Sequence, residues 1–372
     1  MRFSIPLMTC LCMLSSALSA GAEVPGSGYE FSGNGKRPMP CFSALSRPGT
    51  PEPGLSLQLN TLGLRQALTR QQAQIRAFHP EWQGGLPLSP DLLRQLSQHL
   101  LTRLKGAAPL HARDLGLKPH LLRGEDGCGN THFTAYFSPL LQVRSRPDAE
   151  YRYPLFRTPR RWPGGKALSR AEIDFEHKLE GLGLELGYAR SLLEIFFLQV
   201  QGSGVAEYVD TGERVTLQYD TQNGLPYSSV GRALVADGKI AADQISLNAI
   251  GAYFERFPEQ LRHYLSQNQS YVFFKKDRRG PVGALKTEVV PEVSVAVDPR
   301  YIPLGSLLLA EIPRLDANGE FLGHALKLVV AQDTGGAIRG PGHVDVYMGA
   351  GAAAQQKASN LHHYGRLWIL LP

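Results

Sequence analysis

The sequence lacks a long run of basic residues, and its Lys and Arg side chains are scattered, so its formal charge of +6 gives no argument for nucleic-acid binding. It has no internal repeats and no low-complexity tract, which excludes solenoid and fibrous classes. No GxSxG elbow, phosphate loop or HExxH helix motif is present, which removes three common routes to hydrolase, nucleotide and zinc-peptidase chemistry. Cysteine is scarce: four residues in 372. Charged residues are also few, at 19%, against 43% hydrophobic, which is an ordinary globular balance.

Glycine and proline are abundant, at 39 and 26 residues, and favour turns and short strands over long helices. The chain is long enough for two domains, or for one domain carrying a large insertion. It begins with one positive charge, Arg2, then a mostly apolar run from Phe3 to Leu18, then Ala20-Gly21-Ala22. That order reads as a signal peptide over residues 1–22, and the run is too short for a transmembrane helix. Removing it takes away Arg2 and leaves a charge of +5. Cys10 and Cys12 leave with the leader. They follow Leu11 and Thr9, not the small residue that precedes a lipidated cysteine. Cys41 and Cys128 remain, and in an oxidising compartment a remaining pair is most simply a disulfide.

Apolar spacing predicts helices over Leu62–Phe78 and Pro90–Leu104, the second opened by Ser89 as cap and Pro90 at the first helical position. Thr131–Val143 is strand-like and aromatic. Ser169 to Glu172 is a capping box. Leu192–Val200 reads as a buried strand entering a tight turn at Gly202 to Gly204. Ser228–Asp237 and Ala241–Phe257 read as helices, with another after Pro258. Beyond Lys275–Arg279 the texture turns to strands: Val293–Val297, Ser306–Ile312, Leu326–Ala331, His343–Met348 and Leu367–Leu371.

Three of these strands carry an aspartate. In His343-Val-Asp345-Val-Tyr347 the alternation puts Val344 and Val346 in the core, and His343, Asp345 and Tyr347 together on the other, accessible face. Taken alone, an ordinary solvated face explains this better than a site. Asp333, followed by Gly335 and Gly336, ends an apolar strand, either as a site carboxylate or as an Asx turn. Asp298 ends another, and alone it is a structural residue. Glycosidic cleavage needs a protonated carboxyl, and often a second carboxylate.

The motifs from Ser294 to Gly305, Val330 to Gly340 and His343 to Gly349 resemble the three-aspartate (3D) domain, a double-psi β-barrel related to expansins and certain endoglucanases. The wider chain, from about Cys128 to the end, resembles the membrane-bound lytic murein transglycosylase A family. Phe133–Pro139, Gln199–Gly204, Tyr227–Arg232, Tyr271–Phe274 and His362–Trp368 carry the match. The resemblance implies a mainly β fold with helices: a double-psi barrel split in sequence, an inserted β-rich α+β domain, and a large groove between them. The expected parts are 23–140 and 276–372 for the barrel, with the 3D segment at about 290–350, and 141–275 for the insertion.

It also implies cleavage of the β-1,4 bond between N-acetylmuramic acid and N-acetylglucosamine in peptidoglycan. No water enters. The muramyl C6 hydroxyl attacks C1 and leaves a 1,6-anhydro ring. The general acid and then base corresponds to Asp345, with Asp333 and Asp298 in support. Thr134, Tyr136, Gln201, Ser203, Tyr227, Gly335, Gly336, His343 and Tyr347 are the expected substrate residues. The expected partners are glycan strands and other cell-wall proteins, with no nucleic acid, no cofactor and no metal. A monomer exported to the periplasm and associated with the outer membrane completes the expectation, although the family's lipid anchor has no matching signal in this leader.

Three rivals were weighed. Asp333-Thr334-Gly335 is the one aspartic-protease-like triplet ending an apolar strand, and such enzymes need two aspartates. A zinc peptidase would draw ligands from His343, Asp345 and His362 or His363. An expansin-like module would bind glycan without cutting it.

Overall fold

The computed structural model describes residues 57–372 except 77–81, 83, 84, 106–114, 125, 243 and 317. The signal peptide expected at residues 1–22, and Cys41, lie outside the described residues.

Two sheets organise the chain. The first contains β1 (Leu57–Gln58), β2 (Lys118–Leu121), β3 (Asn130–Ser138), β10 (Ser294–Ala296), β11 (Leu307–Leu315), β12 (Phe321–Asp333), β13 (His343–Ala350) and β14 (His362–Leu371). Six of its strands form a ring, β12-β10-β13-β3-β14-β11, closed by β11 pairing with β12. The β10–β12 and β3–β13 pairs are parallel, and the other ring pairs are antiparallel. This is the expected double-psi barrel. Closure removes the exposed edges that an open sheet would leave. One of its strands, β3, comes from far earlier in the chain than the other five, so the barrel is split in sequence as expected.

The second sheet, β5-β6-β4-β7-β8-β9, spans β4 (Leu140–Arg144), β5 (Tyr153–Phe156), β6 (Glu185–Ala189), β7 (Ser203–Tyr208), β8 (Arg214–Gln222) and β9 (Val272–Asp277). The strand-like run over Thr131–Val143 is therefore two strands in two sheets. Pro139 lies between them and has no N–H to give to either ladder.

α1 (Thr61–Gln71) and α2 (Pro90–Arg103) pack on the barrel, with Leu64, Leu68, Leu93, Leu96 and Leu100 in its core. Ser89 caps α2, and its Oγ accepts from the Leu92 amide. A buried polar chain ties these helices down. Gln71 donates to Ser97 Oγ and the Gly305 carbonyl, Gln332 donates to Ala67 and Gln71, and Ser294 donates to Gln332.

The second sheet carries α3 (Arg170–Asp174), α4 (Leu192–Gln201), α5 (Val230–Ala236), α6 (Leu247–Arg256) and α7 (Leu261–Gln267). α8 (Ala352–Asn360) packs on β3 and β13 of the barrel. The capping box forms, with Ser169 and Glu172 exchanging bonds. The expected helix over Ala241–Phe257 is shorter, because Ser246 caps α6 at its start.

Leu192–Val200 is a correction: it is helix α4, not a strand. Ser191 caps it, and Gly202 ends it in the left-handed conformation at φ 75°. Its periodicity is invisible because two opposite faces are buried. Ile195 and Leu198 join the sheet's core, while Leu192, Phe196 and Val200 pack with α5, α6 and α7. A helix apolar on both sides shows no amphipathic stripe.

The chain crosses twice between the sheets. Strand β3 runs into β4 through Pro139, and residues 277–283 return. The return is pinned, because Thr216 Oγ1 donates to the Arg279 carbonyl and the Gln218 side chain bonds both the amide and the carbonyl of Val282. A cavity of about 380 Å³ lies at this junction, with Leu140, Val205, Arg214, Arg278, Ala350 and Gly351 in its wall. None of the residues expected to bind substrate lines it.

Candidate active site

Strands β3 and β13 lie parallel in the barrel, and their register sets the site. His132 faces His343, Thr134 faces Asp345, and Tyr136 faces Tyr347. The row through Asp345 continues across the barrel. Ala296 of β10 is paired with both Asp345 and Asp333, and His362 of β14 is paired with Thr134. Asp333 and Asp345 thus sit on strands separated by β10, with backbones roughly 10 Å apart at two strand spacings.

Asp345 is 2% exposed. The expected accessible face is instead a buried one, because His343 and Tyr347 are also buried. Alternation assigned the right face, but this face of the barrel strand is covered rather than open to solvent. Thr134 Oγ1 lies 2.7 Å from Asp345 Oδ1 and 3.1 Å from His343 Nε2. Burial lowers the His343 pKa to about 4, although a bond to the backbone of Ala337 works the other way. His132, 5.2 Å from His343 between ring centres, is lowered to about 3 by burial and then by its histidine neighbours His343, His362 and His363.

Asp333 is part of a second group. Tyr136 Oη donates to its Oδ2 at 2.7 Å, and the amides of Ala284 and Thr334 donate to its Oδ1, each at 2.9 Å. Burial raises its pKa, and those donors only partly offset the rise. Tyr136 reaches Asp333 over the small Ala296, against Tyr347. Burial and then Asp333 push the Tyr136 phenol well up. Tyr347 bonds Ser138 and is raised to about 12, chiefly by burial.

Asp298 stands apart from both groups. It holds Arg300 through both carboxylate oxygens and accepts from the Gly340 amide at 2.9 Å. Burial opposes its ionisation, but these partners outweigh burial and keep its pKa below the usual value. Its evident work is to fasten the loop that delivers β13. Gly335 and Gly336 lie in that loop. Neither has a positive φ. The loop is closed by the Ile338 amide donating to the Gly335 carbonyl.

The remaining expected residues come from the second sheet. α4 and β7 pack against β3, and they bring Gln201 and Ser203, both buried, to the barrel side. Gln201 Oε1 is buried with no hydrogen-bond partner. Tyr227 is half-buried in the loop before α5. Cys128 is disulfide-bonded, and its expected partner Cys41 lies outside the described residues. Among the described residues, no three His, Cys, Asp or Glu side chains are grouped as metal ligands.

Comparison with known proteins decides the family. Residues 132–275 match the family model "MltA specific insert domain", and residues 293–371 match the 3D domain. Membrane-bound lytic murein transglycosylase A of Escherichia coli K12 is 39% identical over 268 residues, 71% of this chain and 72% of that protein. The chain belongs to the membrane-bound lytic murein transglycosylase A family. The Vibrio cholerae transglycosylase A is 36% identical over 282 residues, covering 75% of each chain. Among solved structures, E. coli MltA with bound chitohexaose superposes with a TM-score of 0.73 at 30% identity, over 94% of this chain and all of that one. The Agrobacterium tumefaciens enzyme gives 0.71 at 27% identity, over 84% and 93%. The insert model's boundary at residue 132 takes in β3, so in this transglycosylase A chain the matched insert carries a barrel strand with it.

Sequence reasoning missed His132 and the place of His362. The signal was available: His132-Phe-Thr134-Ala-Tyr136 repeats the pattern of His343-Val-Asp345-Val-Tyr347.

Proposed function

We propose that this chain is a peptidoglycan lytic transglycosylase, and that Asp345 is its single acid and base. The observation that carries the reading is the buried carboxyl of Asp345. Its nearest partner across the ladder is a neutral hydroxyl rather than a second carboxylate. A hydrolase that uses two carboxylates needs the second one close by. Here Asp333 is two strands away and bound to Tyr136 and two amides, and Asp298 is engaged by Arg300. A reaction whose nucleophile belongs to the substrate needs one carboxyl. Asp345 donates its proton to the glycosidic oxygen, and the bonding pair goes with the leaving sugar. The muramyl C6 hydroxyl then attacks C1 and returns its proton to Asp345. No water is consumed.

The glycan lies in the groove between the barrel and an inserted domain at 141–275. Gln201, Ser203 and Tyr227 contribute from the insert side. The unmatched Gln201 Oε1 suits an N-acetyl amide N–H, since a buried acceptor left unpaired is costly. Thr134 and His343 hold Asp345, and Tyr136 holds Asp333. That its relatives are membrane-bound transglycosylases supports export and association with a membrane.

Digestion of purified peptidoglycan, with mass spectrometry of the products, tests the reading. Anhydro-muropeptides from the native chain, and none from Asp345→Asn, support it. Reducing-end products overturn it.

A further inference from the structure

The Thr134 hydroxyl has one proton and two polar neighbours, Asp345 Oδ1 at 2.7 Å and His343 Nε2 at 3.1 Å. It can donate to only one of them at a time. The His343 ring is buried and neutral near pH 7, so it carries a single N–H. In the tautomer that turns this N–H to the Ala337 backbone, Nε2 is an acceptor facing Thr134. Thr134 then has two acceptors within reach, Nε2 and an ionised Asp345, and it can accept from Asp345 only when that carboxyl is protonated.

We propose that Thr134 and His343 are positioning residues that form a two-position hydroxyl switch for Asp345. In the resting enzyme Thr134 donates to His343 and accepts from protonated Asp345, which keeps the acid loaded. Once Asp345 has given its proton to the leaving oxygen, the hydroxyl turns and donates to the new carboxylate. When the C6 hydroxyl returns a proton to Asp345, the hydroxyl turns back. One rotor serves both halves of the cycle, and no proton leaves the site. The proposal rests on the assignment of Asp345 as the acid and base.

Other groups face this chain. His132 stacks beside His343, and His362 of β14 lies opposite Thr134 with His363 next to it. Asp333, Tyr136 and Tyr347 lie on the β10–β12 side. Burial alone keeps the His343 ring neutral, whereas His132 is kept neutral by burial and by its histidine neighbours.

The test is a pH–rate profile for product release with three variants. The rate needs protonated Asp345, so its alkaline limb marks where that proton is lost. In His343→Phe the hydroxyl has no other acceptor and donates permanently to Asp345. The carboxylate is favoured, and the limb moves to lower pH by about one unit. In Thr134→Val the carboxylate loses its donor, so the limb moves to higher pH while kcat falls about tenfold and KM stays near the native value. Thr134→Ser keeps the switch and stays within about threefold of the native rate.

Opposite shifts with serine rescue support the switch. A fall in kcat with both limbs unmoved, or both moved the same way, overturns it. A Thr134→Ser variant as impaired as Thr134→Val also overturns it, and does so even if His343→Phe fails to fold. The native products report separately on the reaction class. Anhydro ends with unmoved limbs overturn the switch alone. Reducing ends overturn the proposed function, while opposite shifts would still support the switch at Asp345.

Discussion

Strands β3 and β13 present the same side-chain row, histidine, then a polar residue, then tyrosine, and they lie in register. They differ at the middle position, which is Thr134 on one and Asp345 on the other. They differ too in what the tyrosines do, since Tyr136 bonds Asp333 and Tyr347 bonds Ser138. The barrel therefore offers two near-equivalent cradles and places a carboxyl in only one. The uncharged member acts as the partner of the charged one. A near-symmetric frame with one carboxyl is what a single acid and base requires.

Removing the carboxyl breaks the comparison most severely. Asp345→Asn should lower turnover by roughly a thousandfold, the middle of the range for losing a general acid, and retain binding to glycan strands in a sedimentation assay. Loss of binding together with turnover would make Asp345 a structural residue. Making the strands alike should do nearly as much harm. Thr134→Asp sets a second carboxyl beside the first, and the two then share a proton. Turnover should fall about a hundredfold, and the alkaline limb of the remaining activity should move up. An enzyme that gained hydrolytic, reducing-end products would show instead that the second position is open to water.

The tyrosines sharpen the comparison by a smaller amount. Tyr136→Phe takes the phenol from a buried carboxyl and should cost about 1–3 kcal/mol, while Tyr347→Phe should cost about 1 or less. Equilibrium unfolding in urea, run side by side, would show whether the two are unequal. A last test concerns pH. His132 and His343 have folded pKa values of about 3 and about 4, below the ordinary 6.5. Their contribution to stability is present above pH 6.5 and is lost as pH falls toward those values, because the unfolded chain then binds protons that the native state refuses. Melting temperatures should drop between pH 7 and pH 4.5, and His132→Phe should flatten that drop.

Much of the barrel was legible in the sequence because its strands alternate or are uniformly apolar and end at aspartates. The helix α4 was not. It is buried on two sides, and apolar periodicity disappears when both faces meet a core. The shared face of His343, Asp345 and Tyr347 followed from alternation, but its burial did not, since covering that face takes residues from distant parts of the chain. Thr134 was expected to touch substrate. Only the register of β3 against β13, which closes over two hundred residues, turns it toward Asp345.

Strand β3 passes into β4 with Pro139 alone between them, so one unbroken run of backbone carries Thr134 and then enters the second sheet. β3 is gripped on both sides, by β13 and β14, over most of its length. Pulling along its axis therefore loads many ladder hydrogen bonds in shear at once rather than peeling them singly. Tension between the two sheets is shared between this run and the pinned return at 277–283, so the sheets are mechanically coupled at two points.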